Sequence, residues 1–271
     1  MLVASMAGWL LLALCLILAA ELGYRLHAWV RSRQRNDPND EDEGSGYVLS
    51  AALGLLGLLI AFVFSMAAAH HEERRELVQV EADAISGAVQ HFELLPEPYR
   101  GQLIRDMGRY VKLRAEFFDL GSDFEAVDAS MVRAEALQDV MWTEAATALR
   151  QPESQFLTVP VLSAMNDMFD AASKRHAALT LRVPPRAIQV LIIYAIVTAA
   201  IMGHSLAPGR RRHRISSAGL FVLIAMAISL VIDLDSARIG SVHEPQAPME
   251  RVIAQVLEKA ARATPPPGPG R

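Results

Sequence analysis

The sequence predicts an all-α integral membrane protein with four transmembrane helices in two pairs and an α-helical domain outside the membrane between helices 2 and 3. Three observations predict it. Four nearly charge-free apolar runs occur at Leu2–Ala20, Tyr47–Ala69, Ala187–Gly203 and Ile215–Ile232. Each approaches the roughly 20 residues that a helix needs to cross a bilayer core about 30 Å thick. The long polar stretch between the second and third runs carries apolar residues at helical steps, with no strand alternation or hairpin turn.

Residues 1–24 read as transmembrane helix 1. The segment Met1–Ala20 holds no Lys or Arg, so it lacks the basic start of a signal peptide and is read as uncleaved. Residues 25–46 form a charged short loop with Arg25, Arg31, Arg33 and Arg35, then an acidic run. Residues 47–69 are transmembrane helix 2. This helix carries a small-residue stripe of Gly54, Gly57, Ala61, Ser65 and Ala68. At 100° per residue the stripe falls within about 80°, and such stripes let membrane helices approach closely. Packing within one subunit is the expected use, and packing around an oligomer axis is the functional alternative. Leu58 and Phe62 border the stripe as a candidate pore constriction.

Residues 70–185 form the helical extramembrane domain. Val78, Ala82, Ile85, Val89 and Phe92 recur at steps of four and three, an amphipathic face continuous with helix 2. Pro96 and Pro98 end it, and Pro98 suits the first turn of the next helix. That helix points Leu103, Met107, Tyr110, Leu113 and Phe117 inward. A third helix near Ala129–Arg150 turns Leu137, Val140, Met141 and Leu149 inward. A fourth begins near Pro160 with Met165, Phe169, Ala172, His176 and Leu179. Residues 186–206 are transmembrane helix 3, 207–214 a basic loop, and 215–232 transmembrane helix 4. Residues 233–263 hold a short amphipathic helix, with Met249, Val252, Ile253, Val256 and Leu257 expected to dock on the helical domain; lying on the membrane surface is the alternative. Residues 264–271 are a Pro/Gly tail expected to be disordered.

Composition narrows the function. With 26 Lys and Arg against 30 Asp and Glu, the net charge is −4, which offers no footprint for nucleic acid. The only cysteine, Cys15, sits in the first apolar run, so no internal disulfide is expected. No phosphate-binding glycine loop or nucleophile elbow is present. His70 and His71 are adjacent and diverge by about 100° on a helix, so they do not share a metal. No catalytic residue, cofactor or metal is expected, and the chain is read as not an enzyme.

The charged residues that remain read as structural or ion-pair groups. Glu81 and Asp83 face different sides of their helix, and Glu81 is expected to meet a cation such as Arg109 or Arg175. Asn166, Asp167 and Asp170 with Lys174 and Arg175 form a charged face, with Asp170–Lys174 at ordinary helix spacing. Asp233 and Asp235 close helix 4 just before Arg238. Acids there oppose the helix dipole, so they are expected to pair with cations of the helical domain or to bind cations.

Three segments carry a family resemblance. They are Ile60-Ala-Phe-Val-Phe-Ser-Met-Ala-Ala-Ala-His-His-Glu-Glu-Arg-Arg-Glu-Leu-Val running into Glu81-Ala-Asp83, Leu94-Leu-Pro-Glu-Pro-Tyr-Arg100, and Ile232-Asp-Leu-Asp235-Ser-Ala-Arg238. From about residue 45 to 255 the chain resembles the bestrophin-like domain family of bacterial membrane proteins. A more distant likeness reaches the bestrophins, pentameric anion channels whose second helix forms a hydrophobic neck. The resemblance implies that Phe62 matches the last neck aromatic and Leu58 the position one turn earlier. Gly54 then stands where a large apolar residue is expected, and His71–Glu73 stand near where paired tryptophans are typical.

Short-loop Arg and Lys mark the cytoplasmic face. Both short loops here are basic, which puts the termini in the cytoplasm and the helical domain on the non-cytoplasmic side. Bestrophin topology implies the opposite. The expected function is an oligomeric, bestrophin-like anion channel in the bacterial inner membrane. The alternative is a non-conducting sensor or scaffold whose helical domain binds a partner. The expected partners are the lipid bilayer, further copies of the chain and unidentified ions.

Overall fold

The computed structural model describes residues 2–33, 43–119, 124–207, 214–236 and 246–263. Among these residues every regular element is helical. The order is α1 (Leu2–Arg33), α2 (Glu43–Phe92), α3 (Tyr99–Asp119), α4 (Phe124–Leu149), a 3₁₀ turn (Pro152–Leu157), α5 (Thr158–Thr180), α6 (Pro185–Ser205), α7 (Arg214–Asp235) and α8 (Ala247–Ala263). Four helices are long and apolar enough to cross a membrane, as a multi-pass membrane protein requires. The chain divides into two compact units, Met1–His71 with Arg182–His243, and Glu72–Leu181 with Glu244–Arg271. Helix α2 contributes to both.

In the first unit, α1 packs on α6 and α7. Its core holds Ala13 and Leu16 of α1, Leu56, Val63 and Ala67 of α2, Leu191, Ala195 and Ala199 of α6, and Phe221, Ala225, Ile228 and Val231 of α7. The α1–α6 crossing depends on two glycines. A Cβ at Gly23 would overlap the Ala200 carbonyl, and one at Gly203 would overlap the Ala20 carbonyl. Backbones this close leave room for no side chain. The His27 and His204 rings meet edge to face one turn beyond, with centroids 4.7 Å apart.

In the second unit, α3 packs on α4 and α8, and α4 also touches α5 and the 3₁₀ turn. The α2 stripe Val78, Ala82, Ile85, Val89 and Phe92 is fully buried. So are Leu103, Met107 and Tyr110 of α3, whereas Leu113 is half-buried. The side chain of Phe117 lies outside the described residues. Pro98 precedes α3, and its carbonyl accepts the Gln102 amide at 3.2 Å. Helix α8 sets Met249 and Val256 into the core and fits α3 closely at Gly108, where a Cβ would lie 2.8 Å from the Ala260 Cβ.

On helix α4 one expected residue departs. Val140 is 46% exposed, whereas Met141 and Leu149 are buried as expected, Leu137 is half-buried, and Ala134, Ala145 and Ala148 join them. The inward stripe is made mostly of alanines, whose small side chains let α4 approach its neighbours but leave a weak mark in an apolar pattern. The 3₁₀ turn after Gln151 was not expected from sequence, and it buries Ser154 and Leu157.

Candidate functional site

Two features carry the functional interest, one in each unit. The first is a face of α2. Ala52, Leu56, Val63 and Ala67 turn inward, spaced by four, seven and four residues so that they share one side of the helix. Around the rest of the helix, Gly54, Gly57, Ala61 and Ser65 are exposed and Ala68 is half-buried. A Cβ at Gly54 or Gly57 would meet nothing within 4 Å. Among the described residues, Gly54 and Gly57 therefore have no neighbour packed against them. In this unit, the described glycines that do bring helices together are Gly23 and Gly203. Leu58 is 65% exposed and Phe62 62% exposed. They lie four residues apart, one helical turn, next to the small residues.

The second feature is a buried charge network built by three helices. Glu81 of α2 accepts a hydrogen bond from the Arg114 Nε of α3 at one oxygen. At the other, Arg175 Nη1 of α5 donates at 2.8 Å. Arg175 Nη2 also donates to Gln246 Oε1 at 2.8 Å, just ahead of α8. All three charged side chains are buried. Burial pushes the Glu81 carboxyl up, but the charges and hydrogen bonds of Arg114 and Arg175 outweigh it and hold it below the usual carboxylate range. Tyr110 lies alongside and accepts a hydrogen bond from Gln138 at 3.2 Å. Its phenol is pushed up to about 12, first by burial and further by the Glu81 charge.

The network matches the sequence expectation in part. Arg175 does meet Glu81, and so it does not belong to the exposed face of Asp167, Asp170 and Lys174. Asp170 and Lys174 form no ion pair with each other among the described residues. Arg109 does not reach Glu81. It is 70% exposed and binds Asp106 at 2.8 Å, because position 109 lies on the outer side of α3. Arg114 was missed, though its spacing carried a signal: 103, 107, 110 and 114 follow steps of four, three and four. Gln246 had none, since a contact over 71 positions leaves no local pattern. Asp83 is exposed and accepts a hydrogen bond from Gln79 at 2.8 Å.

Residues 13–243 match the Bestrophin-like domain family. The chain belongs to the Bestrophin-like domain family. No curated protein matches it. Its fold is similar to that of crystal structures of a bacterial bestrophin homolog from Klebsiella pneumoniae. One point variant superposes with a TM-score of 0.68 at 11% identity, over 93% of this chain and 98% of that one. A structure phased on zinc gives 0.68 at 10% identity over the same shares. Another variant gives 0.67 at 12% identity, over 94% and 98%.

In this Bestrophin-like chain the acids that end α7 serve a local purpose. Asp235 is buried and accepts the Val183 amide at 2.7 Å, so it joins the end of α7 to the entry of α6. A backbone N–H, already desolvated and lacking a helical partner, offsets the unfavourable dipole. Asp233 is half-buried, and Arg238 lies outside the described residues. Among the described residues, no three His, Cys, Asp or Glu side chains gather to hold a metal ion.

Proposed function

We propose that the protein is an oligomeric, channel-like membrane protein that passes ions, anions first among them. The observation that carries this reading is the α2 face. Among the described residues, nothing packs on Gly54 or Gly57 there, and two large exposed apolar side chains stand beside them. Copies arranged around an axis would pack on Gly54, Gly57, Ala61 and Ser65 and present Leu58 and Phe62 to the centre. A ring of such side chains is a hydrophobic constriction of the kind that gates by dewetting. Membership of the Bestrophin-like family and the fold shared with bacterial bestrophin homologs support the same reading.

The domain plan that goes with it keeps spans at 1–24, 47–69, 186–206 and 215–232, with residues 70–185 outside the bilayer of the inner membrane. The basic loops at 25–46 and 207–214 then face the cytoplasm. A reporter fused to the C-terminus checks this, and a periplasmic signal from it overturns the assignment.

The channel reading is tested with purified protein. A ring-forming oligomer in nanodiscs and anion flux from proteoliposomes are expected, with flux changed by Phe62→Ala. A monomer, or a stable oligomer that passes no ion, sinks conduction and leaves the non-conducting sensor or scaffold.

A further inference from the structure

We propose that the groove between α3 and α8 binds a phosphate monoester with an organic body, either a soluble ester or a lipid headgroup. Both helices belong to one compact unit. The groove has a volume of about 460 Å³, within the roughly 300–1,000 Å³ of small-molecule sites. One wall is basic. Arg105, Arg109 and Lys112 of α3 line it, and steps of four and three residues set them on one face of the helix. They extend over about 10 Å of its length. The opposite wall is apolar and comes from Leu257, Ala260 and Ala261 of α8. The two helices close on each other at Gly108, which also lines the groove.

The charges of the basic wall are largely unmatched. No acid lines the groove. Asp106, buried on α3, binds Arg109 at 2.8 Å and offsets that one charge. Arg105 is half-buried, and its Nη1 donates to the Ala263 carbonyl at 2.8 Å, an acceptor without formal charge. Lys112 is exposed and meets no carboxylate among the described residues. The adjoining surface differs, because there Arg100 pairs with Glu97, Lys259 with Glu93 and Arg262 with Glu258.

Three cations against one carboxylate leave two positive charges to be met from outside. That balance selects the ligand. A phosphate monoester carries about two negative charges at pH 7 and three strong acceptor oxygens. Guanidinium and ammonium groups hold such oxygens through charge-assisted hydrogen bonds. A carboxylate brings a single charge. Inorganic phosphate brings no organic body to cover Leu257 and the alanines, so it forgoes the burial of their apolar surface. The site does not depend on whether the protein conducts.

The test uses the full chain in phosphatidylcholine nanodiscs, with phenyl phosphate as the probe and titration calorimetry as the readout. Phenyl phosphate should bind saturably at one site per chain, with benzoate and inorganic phosphate each weaker. Lys112→Gln should weaken phenyl phosphate about tenfold or more, as expected for losing one charged contact. Ala261→Glu should abolish binding by placing an acid in the groove. Both positions are exposed, so both variants should keep the native circular dichroism. Lys174→Gln, which changes an exposed cation of α5 outside the groove, should bind as the native protein does. Phosphatidic acid added to the nanodiscs separates the two sources: competition with phenyl phosphate assigns the site to a lipid headgroup, and unchanged affinity assigns it to a soluble ester. Absence of saturable binding, native affinity in Lys112→Gln and Ala261→Glu, or an equal loss in Lys174→Gln overturns the proposal.

Discussion

Arg175 reaches Glu81 across 94 positions of sequence and donates to its carboxylate at 2.8 Å, with both side chains buried. The contact joins α5 to α2, and Arg114 makes the equivalent contact from α3. One acid thus fixes three helices in register. Removing that anion takes from both buried guanidiniums the carboxylate they share.

The first prediction follows from that shared carboxylate. Glu81→Ala should destabilise the second unit by about 3–5 kcal/mol, the usual cost of breaking a buried pair from one side. Arg114→Ala should cost somewhat less, because Arg175 remains to neutralise Glu81. Chemical denaturation monitored by circular dichroism in detergent checks the order. Equal stability of Glu81→Ala and the native protein would remove the network from any structural role.

The same carboxylate sets an acid limit. Its value is held below that of the unfolded chain. The stability it contributes is therefore complete above the ordinary carboxylate value and is lost as pH falls through the lowered one. The native protein should lose more stability than Glu81→Gln as pH falls below the ordinary carboxylate range, measured as the difference in unfolding midpoints along an acid titration.

Glycines of the two kinds should respond differently to substitution. Gly203→Leu should abolish folded protein, because the new side chain has to displace the Ala20 backbone. Gly57→Leu should leave the subunit folded, since nothing lies within 4 Å, yet shift the proposed oligomer toward smaller species. Light scattering of the purified variants separates the two effects. A Gly57→Leu oligomer of native size would count against packing through this stripe.

In the proposed constriction, Phe62→Ala should widen the opening and raise anion flux, and Leu58→Ala should do the same one turn away. A polar Phe62→Ser should raise flux further, because it removes the barrier to wetting as well as the bulk. Fluorescence-based flux assays in proteoliposomes measure all three. Identical rates across the series would take these residues out of the pore.

Asp235→Ala should cost about 1.5–3 kcal/mol, the range for a hydrogen bond to a charged group, since it strands the buried Val183 amide. The loss should appear in thermal unfolding of the detergent-solubilised protein, and Asp235→Asn, which keeps an acceptor oxygen, should recover part of it.

By itself the sequence determined what periodicity and composition control. The four apolar runs fixed the number of long apolar helices, because lipid tolerates only backbone that satisfies its own hydrogen bonds. The steps from Val78 to Phe92 and from Leu103 to Tyr110 fixed which faces are buried. The Bestrophin-like family was legible in residues 60–83, 94–100 and 232–238. Tertiary structure alone decided which partner each charge meets. Arg114 and Arg109 are both cations on α3, five residues apart, and only the packing of α2 and α5 on that helix selects the first for Glu81. It also decided that Gly23 and Gly203 bring helices together while Gly54 and Gly57 lie open. A glycine looks the same in sequence whether a neighbouring backbone or nothing lies against it, because that difference belongs to the neighbour.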